Sequence, residues 1–119
     1  YTGAAPLQKL ATTSRFRSVW GSSSTDIWAV GQTGAISHYT SGTWTPVSGV
    51  TTRNLTGVSG SSAKEVWAVG DAGTVLRYDG ASFQQITSGT TGNLAAVWGN
   101  KLYDFWFIGE QGITLRSTR

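Results

Sequence analysis

Asp26-Ile27-Trp28-Ala29-Val30-Gly31, Glu65-Val66-Trp67-Ala68-Val69-Gly70 and Asp104-Phe105-Trp106-Phe107-Ile108-Gly109 are three versions of one phrase. Each reads acid, apolar residue, tryptophan, two apolar residues, glycine, and successive copies lie 39 residues apart. A further glycine follows three residues after each closing one, at Gly34, Gly73 and Gly112. A Val-x-Gly ends five residues before each acid, at Val19/Gly21, Val58/Gly60 and Val97/Gly99. A fixed period of this length means stacked supersecondary units, each burying its apolar face against a neighbour.

Working outward from the phrase, each unit holds four strand-like runs. In the second they are Thr43 to Val47, Asn54 to Ser59, Glu65 to Val69 and Thr74 to Tyr78. Gly/Ser-rich turns separate them, the longest expected at Gly60 to Lys64. Short β-prone runs between such turns predict an antiparallel meander. Gly34, Gly73 and Gly112 are expected at the positive-φ position of short hairpins begun by Gln32, Asp71 and Glu110. No stretch has sustained helical periodicity with caps. The units run 1–38, 39–77 and 78–116, because Tyr1 opens a stretch resembling those that begin at Tyr39 and Tyr78.

The composition agrees with an all-β fold. Among 119 residues there are 16 Gly, 2 Pro and 6 Trp, and 13% are charged, so polarity comes from Ser and Thr. The net charge of +3 is scattered without a basic stripe, which gives nucleic-acid binding little support. No apolar run reaches the ~18 residues of a membrane-spanning helix. Cysteine is absent, which removes disulfides and thiolate metal sites and fits any compartment. An extracellular or periplasmic setting is the expectation. There is no methionine, so the chain reads as a processed form or a piece of something longer.

A four-stranded unit of ~40 residues is the size of a propeller blade. The string Trp67-Ala68-Val69-Gly70-Asp71-Ala72-Gly73-Thr74-Val75-Leu76-Arg77-Tyr78-Asp79-Gly80 resembles the repeat of bacterial β-propellers related to photosystem II assembly factors. It is also similar to sialidase-like Asp-box repeats, echoed in Asp79-Gly80-Ala81-Ser82-Phe83. The resemblance covers all three units and implies a propeller of four-stranded antiparallel blades. Propellers close with roughly 4–8 blades. Three blades therefore predict a homodimer forming a six-bladed ring, with residues 4–10 as the outer strand of a blade formed by 94–116. In the dimer those residues come from the other chain.

Catalysis is not expected. A serine triad needs a histidine base, and His38 is the single histidine. Asp26, Glu65 and Asp104 repeat at one blade position and so are spaced apart instead of paired; turn capping is their expected role. No cofactor or metal is implied by any motif. Trp28, Trp67 and Trp106 are expected in the core. The other aromatics and their neighbours are the candidate ligand-binding set: Trp20 and Trp98 at one repeat position (Ser59 in the second unit), Trp44 and Phe83 on the outer strands, and Tyr39 and Tyr78 following His38 and Arg77. Flat aromatic faces with hydroxyls suit sugars, and pockets between blades would multiply weak sites. The leading expectation is thus a lectin-like, carbohydrate-binding module. The alternatives are a protein-interaction or assembly scaffold, as the resemblance implies, or a structural piece with no ligand. Asn54-Leu55-Thr56 matches a glycosylation acceptor, discounted because the resemblance is bacterial.

Overall fold

The computed structural model describes residues 15–99 and 105–117, and every regular element among them longer than a three-residue turn is a strand. Strands β1 (Phe16–Ser23), β2 (Asp26–Gly31), β3 (Ile36–Thr40) and β4 (Thr43–Val47) form one sheet in chain order. Strands β5 (Leu55–Ser62), β6 (Glu65–Gly70), β7 (Val75–Tyr78) and β8 (Phe83–Gln85) form a second. Strands β9 (Leu94–Gly99), β10 (Phe105–Gly109) and β11 (Thr114–Ser117) form a third. All pairings are antiparallel. These sheets are the blades, with β1, β5 and β9 as their inner strands.

The blades straddle the sequence units. Thr43–Val47 belongs to the second unit but pairs with β3, so each outer strand comes from the unit that follows. Residues 4–10, the expected outer strand of a blade, lie outside the described residues, as does Asp104. The turn expected at Gly60 to Lys64 is shorter than that. β5 continues through Ser62, with a bulge between Gly60 and Ser62, and only two residues turn the chain. β1 does the same between Gly21 and Ser23.

The repeated glycines behave as expected, with one addition. In the β2–β3 turn the Gln32 carbonyl accepts the Ala35 amide at 3.1 Å. Thr33 and Gly34 between them have φ of 54° and 76°. Two left-handed residues in a two-residue loop make the type I′ geometry that matches strand twist. Ala72/Gly73 and Gln111/Gly112 repeat it. The first position therefore carries a side chain in a conformation that glycine usually takes.

Adjacent blades meet through a repeated joint. One face of blade 1 offers Trp28, Val30 and Ile36, and blade 2 receives it with Leu55, Val58, Val66 and Leu76. Thirty-nine residues on, Trp67, Val69 and Val75 meet Leu94, Val97, Phe105 and Leu115. The inner strands are stitched directly: the Thr56 hydroxyl donates to the Leu94 carbonyl at 2.6 Å, and Ser18 Oγ accepts the Val58 amide at 3.2 Å. Trp28 and Trp67 are core residues, 1% and 4% exposed. Trp106 is not: it remains 38% exposed, because among the described residues no receiving face lies over blade 3. The same period that buries the first two copies thus leaves the third at an edge.

Candidate functional site

In blades 1 and 2 the acid, the tryptophan and the base of the repeat meet on one blade face, and in blade 3 the tryptophan and the base do. In a strand, residues two apart share a face, so Asp26 and Trp28 point together on β2. The antiparallel register sets His38 of β3 opposite Trp28, and likewise Arg77 opposite Trp67 and Arg116 opposite Trp106. In blade 2 the Trp67 indole N–H donates to Glu65 Oε2 at 2.8 Å. Arg77 grips the same carboxylate through Nε at 2.8 Å and Nη2 at 3.1 Å. Its guanidinium lies 5.9 Å from the centre of the Trp67 ring, and that of Arg116 lies 5.1 Å from Trp106. Glu65 is buried, so its charge is held by this partner.

Blade 1 runs a shortened version. Asp26 Oδ1 meets His38 Nε2 at 2.5 Å, and Asp26 also accepts the Ser22 hydroxyl across the β1–β2 turn. The His38 ring stacks on Trp28 with centroids 3.7 Å apart. Burial pushes the Asp26 carboxyl up, but the Ser22 and His38 hydrogen bonds and the His38 charge together outweigh it and hold the group below its ordinary value. Asp26 is one methylene shorter than Glu65, and the buried Trp28 indole N–H has no partner. Turn capping describes Asp26 in part; Glu65 instead binds its indole and its base. The order of the blade 1 groups differs from that of a serine triad. In the Ser22–Asp26–His38 chain the carboxylate sits between hydroxyl and imidazole, so the imidazole cannot take the serine proton.

Most of the aromatic ligand candidates are packed against one another. Tyr78 lies between Trp28, at 4.7 Å, and Phe83, at 5.1 Å between ring centres. Phe83 also meets Trp28 edge-on at 5.2 Å. Tyr39 tilts against Trp44 at 5.2 Å. The six-membered ring of Trp20 reaches over blade 2, where a Cβ on Gly60 would come within 2.7 Å of it. His38 and Arg77 are engaged as described. Trp98 stands apart from this set, 59% exposed on blade 3. The structure thus gathers Trp28, His38, Tyr78 and Phe83 into one packed cluster at the joint of blades 1 and 2. It leaves Trp20, Trp44 with Tyr39, and Trp98 in separate places.

A different site opens at the same joint. At the end carrying the β2–β3 and β6–β7 turns, a cleft of about 730 Å³ separates the blades. The connection from Ser48 to Arg53 runs along it, with Thr33, Thr74 and Gln85 around it. Val50, Val75 and Ile86 supply apolar surface. The walls are fixed. Gln85 Nε2 donates to the Val50 carbonyl at 2.9 Å, and Asn54 Oδ1 accepts the Thr33 amide at 2.8 Å. Asn93 repeats that clamp on Ala72 at 2.9 Å. A Cβ on Gly34 would overlap the Thr51 carbonyl, and one on Gly73 that of Thr90. None of the ligand-binding candidates read from sequence lines this cleft. The recurrence of Asn54 and Asn93 at the period was its visible signal, since an amide kept before both β5 and β9 marks a joint. Asn54 and Thr56 of the glycosylation pattern are both spent on such contacts.

Among the described residues no group of three His, Cys, Asp or Glu side chains is placed to hold a metal ion, and no helix is long and apolar enough to cross a membrane. No family model matches the sequence. No curated protein matches it. Among solved structures the chain is similar to one titled "YCF48 bound to D1 peptide", with a TM-score of 0.74 and 20% sequence identity. The similarity covers 92% of this chain but 39% of the other, so this chain spans about two fifths of that protein's length. At that identity the likeness speaks to fold, and together with the stacked antiparallel sheets it establishes a β-propeller fold for this chain.

Proposed function

We propose that the chain is a non-catalytic propeller module that binds a protein partner, taking an extended segment of it in the cleft between blades 1 and 2. The cleft itself carries this reading. Its volume of about 730 Å³ falls in the range of roughly 300–1,000 Å³ typical of ligand sites. A peptide presents a donor and an acceptor at nearly every residue. Threonine hydroxyls serve both roles, and Thr33 and Thr52 line the cleft, beside Thr51, which accepts the Arg53 amide, and Thr74, which donates to the Asp71 carbonyl. Val50, Val75 and Ile86 offer a place for an apolar side chain. Arg53 is the ionisable group among the described lining residues, which favours an acidic peptide and provides no base for chemistry. The solved neighbour is titled as bound to a peptide, which supports the protein reading over the carbohydrate one. The packing of Tyr39, Tyr78 and Phe83 against other rings points the same way, because sugar stacking needs an open ring face.

Peptides selected on the protein from a displayed random library should be enriched in Asp and Glu. Their affinity, read by fluorescence anisotropy, should fall at least ~10-fold on Arg53→Glu, equivalent to about 1.4 kcal/mol. Arg17→Glu, on exposed β1 surface away from the cleft, should change it little. Equal losses from both variants would reduce the effect to net charge and refute the cleft. A glycan array tested alongside decides the carbohydrate reading: glycan binding that survives Arg53→Glu, with no peptide enriched, would replace the proposal.

A further inference from the structure

We propose that two copies of this chain join head to tail, with the free face of blade 3 on one copy seated on blade 1 of the other and Trp98 resting on Gly21. The two internal joints supply the template. At each, a tryptophan-bearing face is received by the apolar face of the next blade. Blade 3 repeats the first partner: Trp106 and Ile108 occupy the positions of Trp67 and Val69. Ile108 is 53% exposed. Blade 1 repeats the second partner, with Phe16, Val19 and Ile27 at the positions of Leu55, Val58 and Val66. Val19 is 65% exposed. One molecule therefore carries both halves of a joint that it has already built twice. They lie on opposite ends of the stack, and among the described residues no blade of the same chain covers either of them.

The finer features match as well. Trp20 reaches over Gly60 of the following blade, and a side chain there would collide with it. Trp98 is the repeat of Trp20, and Gly21 is the repeat of Gly60. At the internal joints Asn54 and Asn93 clamp the preceding blade's turn. At the joint between copies Arg15 holds that position, and Glu110 begins the turn it would meet, exchanging an amide clamp for opposite charges. A head-to-tail contact closes when its rotation does, and two copies hold six blades, within the roughly 4–8 that close a ring. Extended exposed apolar faces of this kind mark interaction surfaces.

The mass of the 119-residue chain in solution tests this, by native mass spectrometry and light scattering at micromolar concentration. The parent should appear at twice the chain mass of 12.6 kDa. Ile108→Glu and Val19→Lys, both at exposed positions and so compatible with the fold, should each give single chains with unchanged circular dichroism. Mixing the two variants should restore the double mass, because one of the two joints is then unaltered and the other pairs Glu with Lys. Trp98→Ala should weaken dimerisation without unfolding. A parent of single mass, a multiple other than two, or a mixture that stays at single mass would overturn the proposal, and the face would then belong to some other partner. These readouts do not involve peptide binding, so this idea and the cleft can fail separately.

Discussion

Shortening Glu65 by one methylene tests what blade 2 gains over blade 1. Glu65→Asp leaves a carboxylate near Arg77, as Asp26 stands beside His38, but withdraws the acceptor from the Trp67 indole. That indole is buried, and its bond to Glu65 is 2.8 Å long. Leaving a buried donor without a partner costs about 1–3 kcal/mol. Trp28 shows that the fold tolerates such a donor, so the lower half of the range applies, about 1–2 kcal/mol. For a domain of this size each kcal/mol moves the melting midpoint by roughly 4 °C, giving a drop of about 4–8 °C. Glu65→Gln separates the two roles, since its amide oxygen can keep the indole bond while the charge facing Arg77 is lost. Glu65→Ala removes both and should cost about 3–5 kcal/mol. The reciprocal variant, Asp26→Glu with His38→Arg, gives Trp28 an acceptor and should raise the midpoint. Circular dichroism melts at one fixed chain concentration measure all four, because association would shift the midpoint with concentration. If Glu65→Asp melts with the parent while Glu65→Gln melts well below it, the ion pair carries the stability and the indole argument is wrong.

The turn glycines offer a contrast within one molecule. Gly73→Ala must adopt φ near 71° and overlap the Thr90 carbonyl, whereas Gly112→Ala meets nothing within 4 Å. The first should cost more than ~2 kcal/mol and the second about 1 kcal/mol by denaturant unfolding, the strain term being common to both. Asn93→Ala removes the acceptor of the Ala72 amide and should cost about 1 kcal/mol; no change would mean that water replaces the clamp. The Asp26 carboxyl is held below its ordinary value in the fold, so it binds its proton more readily when unfolded. Its stabilisation is present above the ordinary value of 3.8 and disappears as pH falls through the lower folded value. Asp26→Asn should therefore flatten the acid limb of a stability–pH curve below about pH 4, and an unaltered limb would assign it to other carboxyls.

The fold was largely legible because its signals are periodic. A phrase spaced by 39 residues marks β2, β6 and β10 at once, and glycine after glycine marks each hairpin. The cross-strand partners were not legible. Asp26 and His38 are twelve residues apart, and only the register of β2 against β3 makes them neighbours. Nor does sequence say which side of a tryptophan is covered. Trp28 and Trp106 occupy one repeat position yet differ in burial, because burial depends on the next blade. The cleft was missed for a related reason: it is walled by Thr33, Thr51, Gln85 and backbone, ordinary residues that line a cavity only when two blades meet. The aromatics drew attention by chemical type, and Tyr39, Trp44, Tyr78 and Phe83 pack against other rings.

The burial of β6 has a consequence for motion. Every residue from Glu65 to Gly70 is buried, whereas β10 alternates buried and exposed positions. In a stack where each unit touches only its neighbours, opening begins at the ends and the middle is released last. In single chains, such as those of Ile108→Glu, amide hydrogens of β6 should then exchange with deuterium most slowly and those of β10 and β11 sooner, a gradient running outward along the chain. Closing the stack into a ring removes its ends, so the same exchange profile would become nearly even from blade to blade.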